Sequence, residues 1–427
     1  MKKCTSFPVS DFKTFKIQML NWANRFSIFS FLDNQQYGFS KPAFECLLAA
    51  GSKKIIRANA GNAFDQLRHF HNKTEGEWLF GHLGYDLKNE TESLGSGSAD
   101  KTGFSDLFFF VPRWVIKLDG EEVKIYGDGD PGPVYEEIRR CPRVINDGRP
   151  GKIDIEHKIA RKDYLEIIEK LRRHILRGDC YEINFCQEFF SANAEIDPLH
   201  VYNRLAELSP NPFSVFYRVE NSYCLCASPE RYLKKTGSRI FSQPIKGTSK
   251  REHENSNADE ASKKYLLQSS KEKSENVMVV DLVRNDLSRV CKPGSVQVDE
   301  LFGLYSFPQV HQMISTVSGE INDGLNWIDC IRATFPMGSM TGAPKKRVME
   351  LIEQYEHSRR GLFSGAIGYI DPGGDFDFNV VIRSIFYNET EKYLSFQTGG
   401  GITYYSNPVD EYAESLLKAE AMMKVLK

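Results

Sequence analysis

From residue 159 to the C-terminus the apolar residues switch repeatedly between a helical and a strand period, and neither an all-helical nor an all-strand fold accommodates that alternation. Tyr164, Ile167, Ile168, Leu171 and Ile175 recur at helical spacing until Gly178 and Asp179 stop them. A strand follows over 180–190, then a helix over 200–208 and strand-like runs at 213–219, 222–227 and 239–242. Residues 250–264 are densely charged and read as a loop, and Tyr265 opens one long helix to about residue 290, before Pro293 and Gly294. Strands at 295–302 and 313–320, a helix at 327–334 and another from Pro344, which suits a first helical turn, come next. Strands at 363–370, 379–387 and 393–398 and an amphipathic helix from Pro408 close the chain. The expected class is α+β: a large antiparallel β-sandwich with helices packed outside it.

Residues 1–150 are less patterned. Short apolar runs at 26–32, 78–87 and 107–118, separated by polar turns, predict a mainly-β part with few helices. The Ser-, Gly- and Glu-rich stretch 89–102 reads as an exposed loop, and GDGDPG at 127–132 as a tight turn.

Charge and cysteine usage exclude several classes of function. The 55 basic and 57 acidic side chains leave a net charge of -2, so no global field favours nucleic acid or an anionic membrane, and an anionic ligand needs a local site. The N-terminus MKKCTSFPVSDFKTFK has no apolar core after its lysines, and no run approaches the length of a membrane span, so neither a signal nor a membrane association is expected. Nine scattered cysteines without a paired CxxC argue against a disulfide scaffold or zinc ribbon and for a reducing cytoplasm.

Several residues are candidates for chemistry. Glu272 with Glu275, and Glu411 with Glu414, are three apart on predicted helices, so each pair shares a face. Carboxylates converging from separate helices suit Mg2+, although spacing alone favours a solvated charged face. The run Thr398-Gly399-Gly400-Gly401 after a strand lets amides approach an anion, with a β-bulge as the alternative. Arg383, in IRS, could clamp a carboxylate or be a surface arginine. FPMGSMTGAPK at 335–345 lacks phosphate-loop spacing, so no nucleotide triphosphate is expected. Lys246 lies between Ile245 and Gly247 at a strand end, where desolvation would lower its pKa toward nucleophilic competence; a structural lysine is the simpler reading of the position by itself. Glu230 in SPER and His311 are candidate acid or base groups.

Taken in order, GDCYEINFCQEF, SPERY, QPIKGT, SENVMVVDLVRNDLSRVC, FPMGSMTGAPK, GAIGY, VIRS and GGGITYYSNPVDEYAESLLKA closely resemble the chorismate-binding enzymes. The resemblance covers about 159–427, and the first 150 residues, GHLGYDL at 81–87 included, look like that family's less distinctive N-terminal part. It implies the anthranilate synthase component I-like fold, with 151–427 as the chorismate-binding catalytic region. It also implies Mg2+ held by Glu275 and Glu414, with Glu272 and Glu411 near it through water. Arg383, Tyr369 and the amides of Gly399, Gly400 and Gly401 are implied to hold the enolpyruvyl carboxylate, with Thr341 and His311 lining the ring pocket and Gly247 and Thr248 also on the substrate.

Within the family, PIKGT resembles the aminodeoxychorismate synthases, in which this lysine is the covalent nucleophile, whereas anthranilate synthases resemble PIAGT. The implied mechanism has Lys246 attack ring carbon 2 as the carbon 4 hydroxyl leaves, Glu230 shuttle the proton, and ammonia enter at carbon 4. Isochorismate and salicylate synthases resemble one another in a water-activating lysine at the position of Glu182, so the water-adding reading loses its base here. Ammonia-using relatives more often carry glutamine there, and Glu182 departs from that pattern. FSFLDN at 29–34 stands where anthranilate synthases resemble LLES, so tryptophan feedback is not expected. No glutaminase motif is visible, which implies ammonia from a separate glutamine amidotransferase subunit. Two alternatives remain: an anthranilate synthase component I, separated by Lys246, and a non-catalytic chorismate-fold binding protein, against which the full acidic set stands.

Overall fold

Gly51, at φ +66°, and a register shift between Ser52 and Lys54 bend the strand Cys46–Ala58 midway along its partner Leu107–Asp119. The bend lets two long strands serve two sheets. From residues 46–50 the first sheet continues through Ile28–Asp33, Phe213–Val219, Ser222–Ser228, Ser384–Asn388, Tyr393–Ile402 and Glu182–Ser191. From residues 107–110 the second continues through Leu79–Leu83, Ala366–Ile370, Phe376–Asn379, Arg231–Thr236, Arg239–Gln243 and Val310–Glu320. Val310–Glu320 also carries Ile245–Lys250. This computed structural model describes residues 3–37, 44–145, 151, 153–252, 255–307 and 310–427, and every strand pairing among them is antiparallel.

The facing sides of the two sheets share one core, to which Leu32, Leu47, Phe80, Phe108, Val215 and Phe378 contribute. Their strand neighbours Phe31, Leu48 and Phe216 point the other way, into a second core covered by the helices Phe12–Ala23, Pro198–Leu208 and Pro408–Val425. Alternate residues of one strand therefore enter two cores, which is why Ile28–Asp33 is buried along its whole length. The architecture is the expected α+β sandwich. Its first 150 residues complete both sheets of the region that follows, because Ile28–Asp33 pairs with Phe213–Val219 and Leu79–Leu83 with Ala366–Ile370. Residues 146–150 and 152, around the division drawn from the sequence, lie outside the described residues.

Three local differences from the sequence reading have identifiable causes. Residues 12–23 are a helix, because Asp11 accepts from Thr14 N and Phe15, Met19 and Trp22 form one buried face. The charged stretch read as a loop is helical from Ser256, and the helix after it is not single: Asn255 caps Ser256–Gln268, and Ser269 caps Ser270–Ser288 by accepting from Glu272 N. The strand expected over 379–387 is broken, with Arg383 at φ +52° between Phe376–Asn379 and Ser384–Asn388.

No described helix is long and apolar enough to cross a membrane, and all nine cysteines are free. One buried ion pair locks the end of Glu182–Ser191. Glu356 accepts from Cys186 N at 2.8 Å, and Arg360 donates to the carbonyls of Asn184 at 2.9 Å and Met340 at 2.6 Å while pairing with Glu356 at 2.6 Å. Breaking such a pair leaves a buried charge unsolvated. Arg360→Met is expected to lower stability by about 3–5 kcal/mol, read as a fall in the urea midpoint, with partial recovery in Arg360→Met/Glu356→Gln.

Candidate active site

The site lies where the two sheets approach each other at their edges. Its central residue, Lys246, sits in Ile245–Lys250, whose register against Val310–Glu320 shifts between Ile245 and Thr248. Gly247, at φ +94°, occupies that bulge, and a Cβ there would come within 3.1 Å of Glu272 Oε2 and of Leu266. The bulge aims Lys246 across to the other sheet, where its Nζ lies 2.5 Å from Glu182 Oε1 at the start of Glu182–Ser191. Both side chains are nearly enclosed, at 11% and 3% exposure. Gly401 makes room for the pair, since a Cβ on it would stand 2.6 Å from both charged atoms. The glycine run, expected just after a strand, continues the strand Tyr393–Ile402, with Gly399, Gly400 and Gly401 paired to Cys186, Phe185 and Asn184.

Glu230, buried just ahead of Arg231–Thr236, stands near enough to Lys246 for their charges to act on each other. Burial pushes its carboxyl up to about 7 against the opposing influence of the Ser339 hydroxyl, Lys246, the Ile245 N–H and Arg383. Burial also holds the Arg383 guanidinium below its usual value, with Glu230 acting against that. The unusual backbone at Arg383 is held by its carbonyl, which accepts from Ala227 N at 3.1 Å. For Lys246 the expected direction of shift is reversed. Burial acts to lower the pKa, but Glu182, Glu275 and Glu230 together outweigh it and raise it.

Beside this cluster the two predicted carboxylate pairs converge, Glu272 and Glu275 from Ser270–Ser288 and Glu411 and Glu414 from Pro408–Val425. Lys271 bridges the helices, with Nζ 3.9 Å from Glu275 and 3.8 Å from Glu411. Lys418 pairs with Glu414 at 2.7 Å and donates to Gly399 O. Burial raises Glu272, Glu275 and Glu411, Glu275 to about 7, while Lys418 holds Glu414 down. Glu275 Oε1 is buried without a hydrogen-bond partner. Among the described residues no three acidic or metal-ligating side chains already stand close enough to share an ion. The donor set is all oxygen, and its raised carboxyls and orphaned oxygen suit a hard cation.

The remaining predicted residues divide. Thr341 is fully buried, its hydroxyl donating to Met337 O and Gly338 O and its carbonyl accepting from Asn184 N, so it braces the segment behind Glu182. Thr248 is exposed on the Lys246 strand. His311 is engaged elsewhere, 2.9 Å from both Asp259 Oδ1 and Ser306 Oγ. Tyr369 is not brought to the cluster: its ring packs against Phe44, Trp78 and Phe80 and lines a small cavity with Arg231 and Asp377. Lys271 and Lys418 were missed by the sequence reading, although each lies four residues from a predicted carboxylate. Ser339 and the Arg360 pair had no signal beyond the fold itself.

Residues 27–424 match the family described as chorismate binding enzyme. The chain is 38% identical to aminodeoxychorismate synthase component 1 of Bacillus subtilis over 85% of this chain and 82% of that one. It is 34% identical to the protein of the same name from Salmonella typhimurium over 81% and 76%. The crystal structure of anthranilate synthase component I from Streptococcus pneumoniae superposes with a TM-score of 0.78 at 27% identity, covering 92% of each chain. The chain belongs to the chorismate-binding enzymes.

The raised pKa of Glu275 makes stability depend on pH. Its carboxyl moves from 4.5 to about 7 on folding, so folding favours the protonated form; that contribution is complete below about pH 4.5 and lost as pH rises through about 7. In chelator, wild type is expected to melt below Glu275→Gln at about pH 8 and to converge with it near about pH 5.

Proposed function

We propose, on the premise of that family membership, that this chain is the chorismate-aminating subunit of an aminodeoxychorismate synthase, converting chorismate and ammonia to 4-amino-4-deoxychorismate on the route to 4-aminobenzoate and folate. The observation that carries the reading is Lys246 itself, aimed by the Gly247 bulge into a cleft shared with Glu230 and Arg383. The names of the relatives from Bacillus subtilis and Salmonella typhimurium support it.

Substrate binding follows from charge. Chorismate carries two carboxylates, and Arg383, which no ion pair among the described residues engages, can fork one of them. The acidic helices cannot receive the other unaided. Glu275 and Glu414, with Glu272 and Glu411 beside them, would hold Mg2+, which when bound offsets the charge of the ring carboxylate.

The reaction then proceeds in two displacements. The neutral Lys246 amine bonds to carbon 2, the two ring double bonds shift, and the carbon 4–oxygen bond breaks, with Glu230 donating the proton that lets the oxygen leave as water. A carboxyl near 7 is partly protonated at neutral pH and suited to that role. Ammonia attacks carbon 4, the double bonds return, Lys246 departs, and Glu230 recovers its proton from the new amine. The relatives are called component 1, and we assign ammonia delivery to a separate glutamine amidotransferase subunit, both working in the cytoplasm, in keeping with nine free cysteines.

Two outcomes test this reading. Enzyme given chorismate and Mg2+ without ammonia is expected to gain the mass of chorismate less water on the Lys246 peptide; Lys246→Ala should lose the adduct and most product yet still bind chorismate, and an unmodified wild-type lysine with a fully active variant would contradict the mechanism. Chelation of Mg2+, or Glu275→Gln or Glu414→Gln, should abolish turnover, and full activity in metal-free buffer would count against the metal site.

A further inference from the structure

We propose that Glu182 is the positioning residue of this enzyme that takes the proton Lys246 must lose before it attacks. The inference rests on the covalent-lysine reading above. It answers a question which that reading leaves open, because the lysine of the free enzyme is an ammonium held in an ion pair and an ammonium has no lone pair to offer.

The geometry singles out Glu182. Several carboxylates act on Lys246: Glu182 at the start of Glu182–Ser191, Glu230 ahead of Arg231–Thr236, Glu272 and Glu275 from Ser270–Ser288, and Glu414 from Pro408–Val425. The Cys186 thiol and, beyond Glu230, Arg383 complete the set. Of these only Glu182 is in hydrogen-bond contact with Nζ among the described residues, at 2.5 Å. Its other oxygen, Oε2, is buried and has no partner. Glu182 is thus the carboxylate that touches Nζ directly, is buried at 3% exposure and keeps an oxygen unengaged, so a proton leaving Nζ has its shortest path to Oε1. Glu230 cannot serve both purposes, since it must be protonated to release water.

The proton balance closes. One proton passes from Nζ to Glu182 Oε1, turning a buried ion pair into a neutral amine and a neutral acid without changing the charge of the site. The amine's lone pair forms the bond to carbon 2, leaving nitrogen as a secondary ammonium, while the departing oxygen takes its proton from Glu230. When ammonia displaces the lysine, the electron pair of the carbon 2–nitrogen bond returns to Nζ as a neutral amine, and Glu182 gives its proton back. No proton is exchanged with solvent in the lysine's activation. Glutamine at this position could hold the lysine but not accept its proton.

The test measures adduct formation in the full chain, with chorismate and Mg2+ but no ammonia, in wild type, Glu182→Gln and Glu182→Asp between about pH 6 and 8. The ratio of variant to wild-type rate is the readout, because titration of Glu230 affects all three proteins and cancels. For Glu182→Gln, which must release the lysine proton to solvent, the rate at about pH 6 should be well below wild type and the ratio should rise up to about tenfold per pH unit. For Glu182→Asp the ratio should stay flat with pH. A pH-independent ratio for Glu182→Gln, or a rate equal to or above wild type at every pH, overturns the role of Glu182 while leaving the covalent reading intact. Absence of the adduct in wild type itself overturns the covalent reading, and this inference with it.

Discussion

The structure of the site depends on one constraint: more carboxylates than cations in a cluster whose inner members, Glu182, Glu230 and Glu275, are buried. Glu182, Glu230, Glu272, Glu275, Glu411 and Glu414 face Lys246, Lys271, Lys418 and Arg383, which leaves a formal surplus of two negative charges if all are ionised. Burial resists that arrangement and pushes the carboxyls of Glu230 and Glu275 to about 7. A dianionic substrate would deepen the imbalance. The raised carboxyls of Glu275 and Glu230 suit a hard cation beside the one and a proton on the other, which is what the proposed amination of chorismate would use.

The same crowding explains features that look unrelated along the chain. Gly401 has no side chain because the Lys246–Glu182 pair occupies the space where one would stand, and Gly247 has a positive φ because the bulge must turn the lysine between sheets. The buried Arg360–Glu356 pair fixes the backbone of residues 184–186, which sets where Glu182 begins. Arg383 belongs to the same group: its left-handed backbone interrupts a strand where its buried guanidinium comes under the influence of Glu230.

Much of this was legible in the sequence. The strand and helix periods identified the sandwich, and the two Glu pairs were found by their three-residue spacing. The N-terminal helix was not, because its apolar residues overlap the pattern of short strands and its Asp11 cap carried the decisive information. The pKa of Lys246 was misjudged for a different reason. Burial of one residue can be inferred from its neighbours in sequence, but the carboxylates that reverse its effect come from positions 182, 230 and 275 and meet only in the fold. Tyr369 shows the converse limit, a motif residue whose strand position turns it to a cavity away from Lys246.

The central claim is that Lys246 selects the reaction rather than merely lining the pocket. It is tested most directly by incubating the purified chain with chorismate, Mg2+ and an ammonium salt and identifying the aminated product by chromatography against both standards. The account predicts 4-amino-4-deoxychorismate with no anthranilate. Anthranilate as the main product would contradict it, because amination would then have occurred at the carbon that Lys246 is held to occupy.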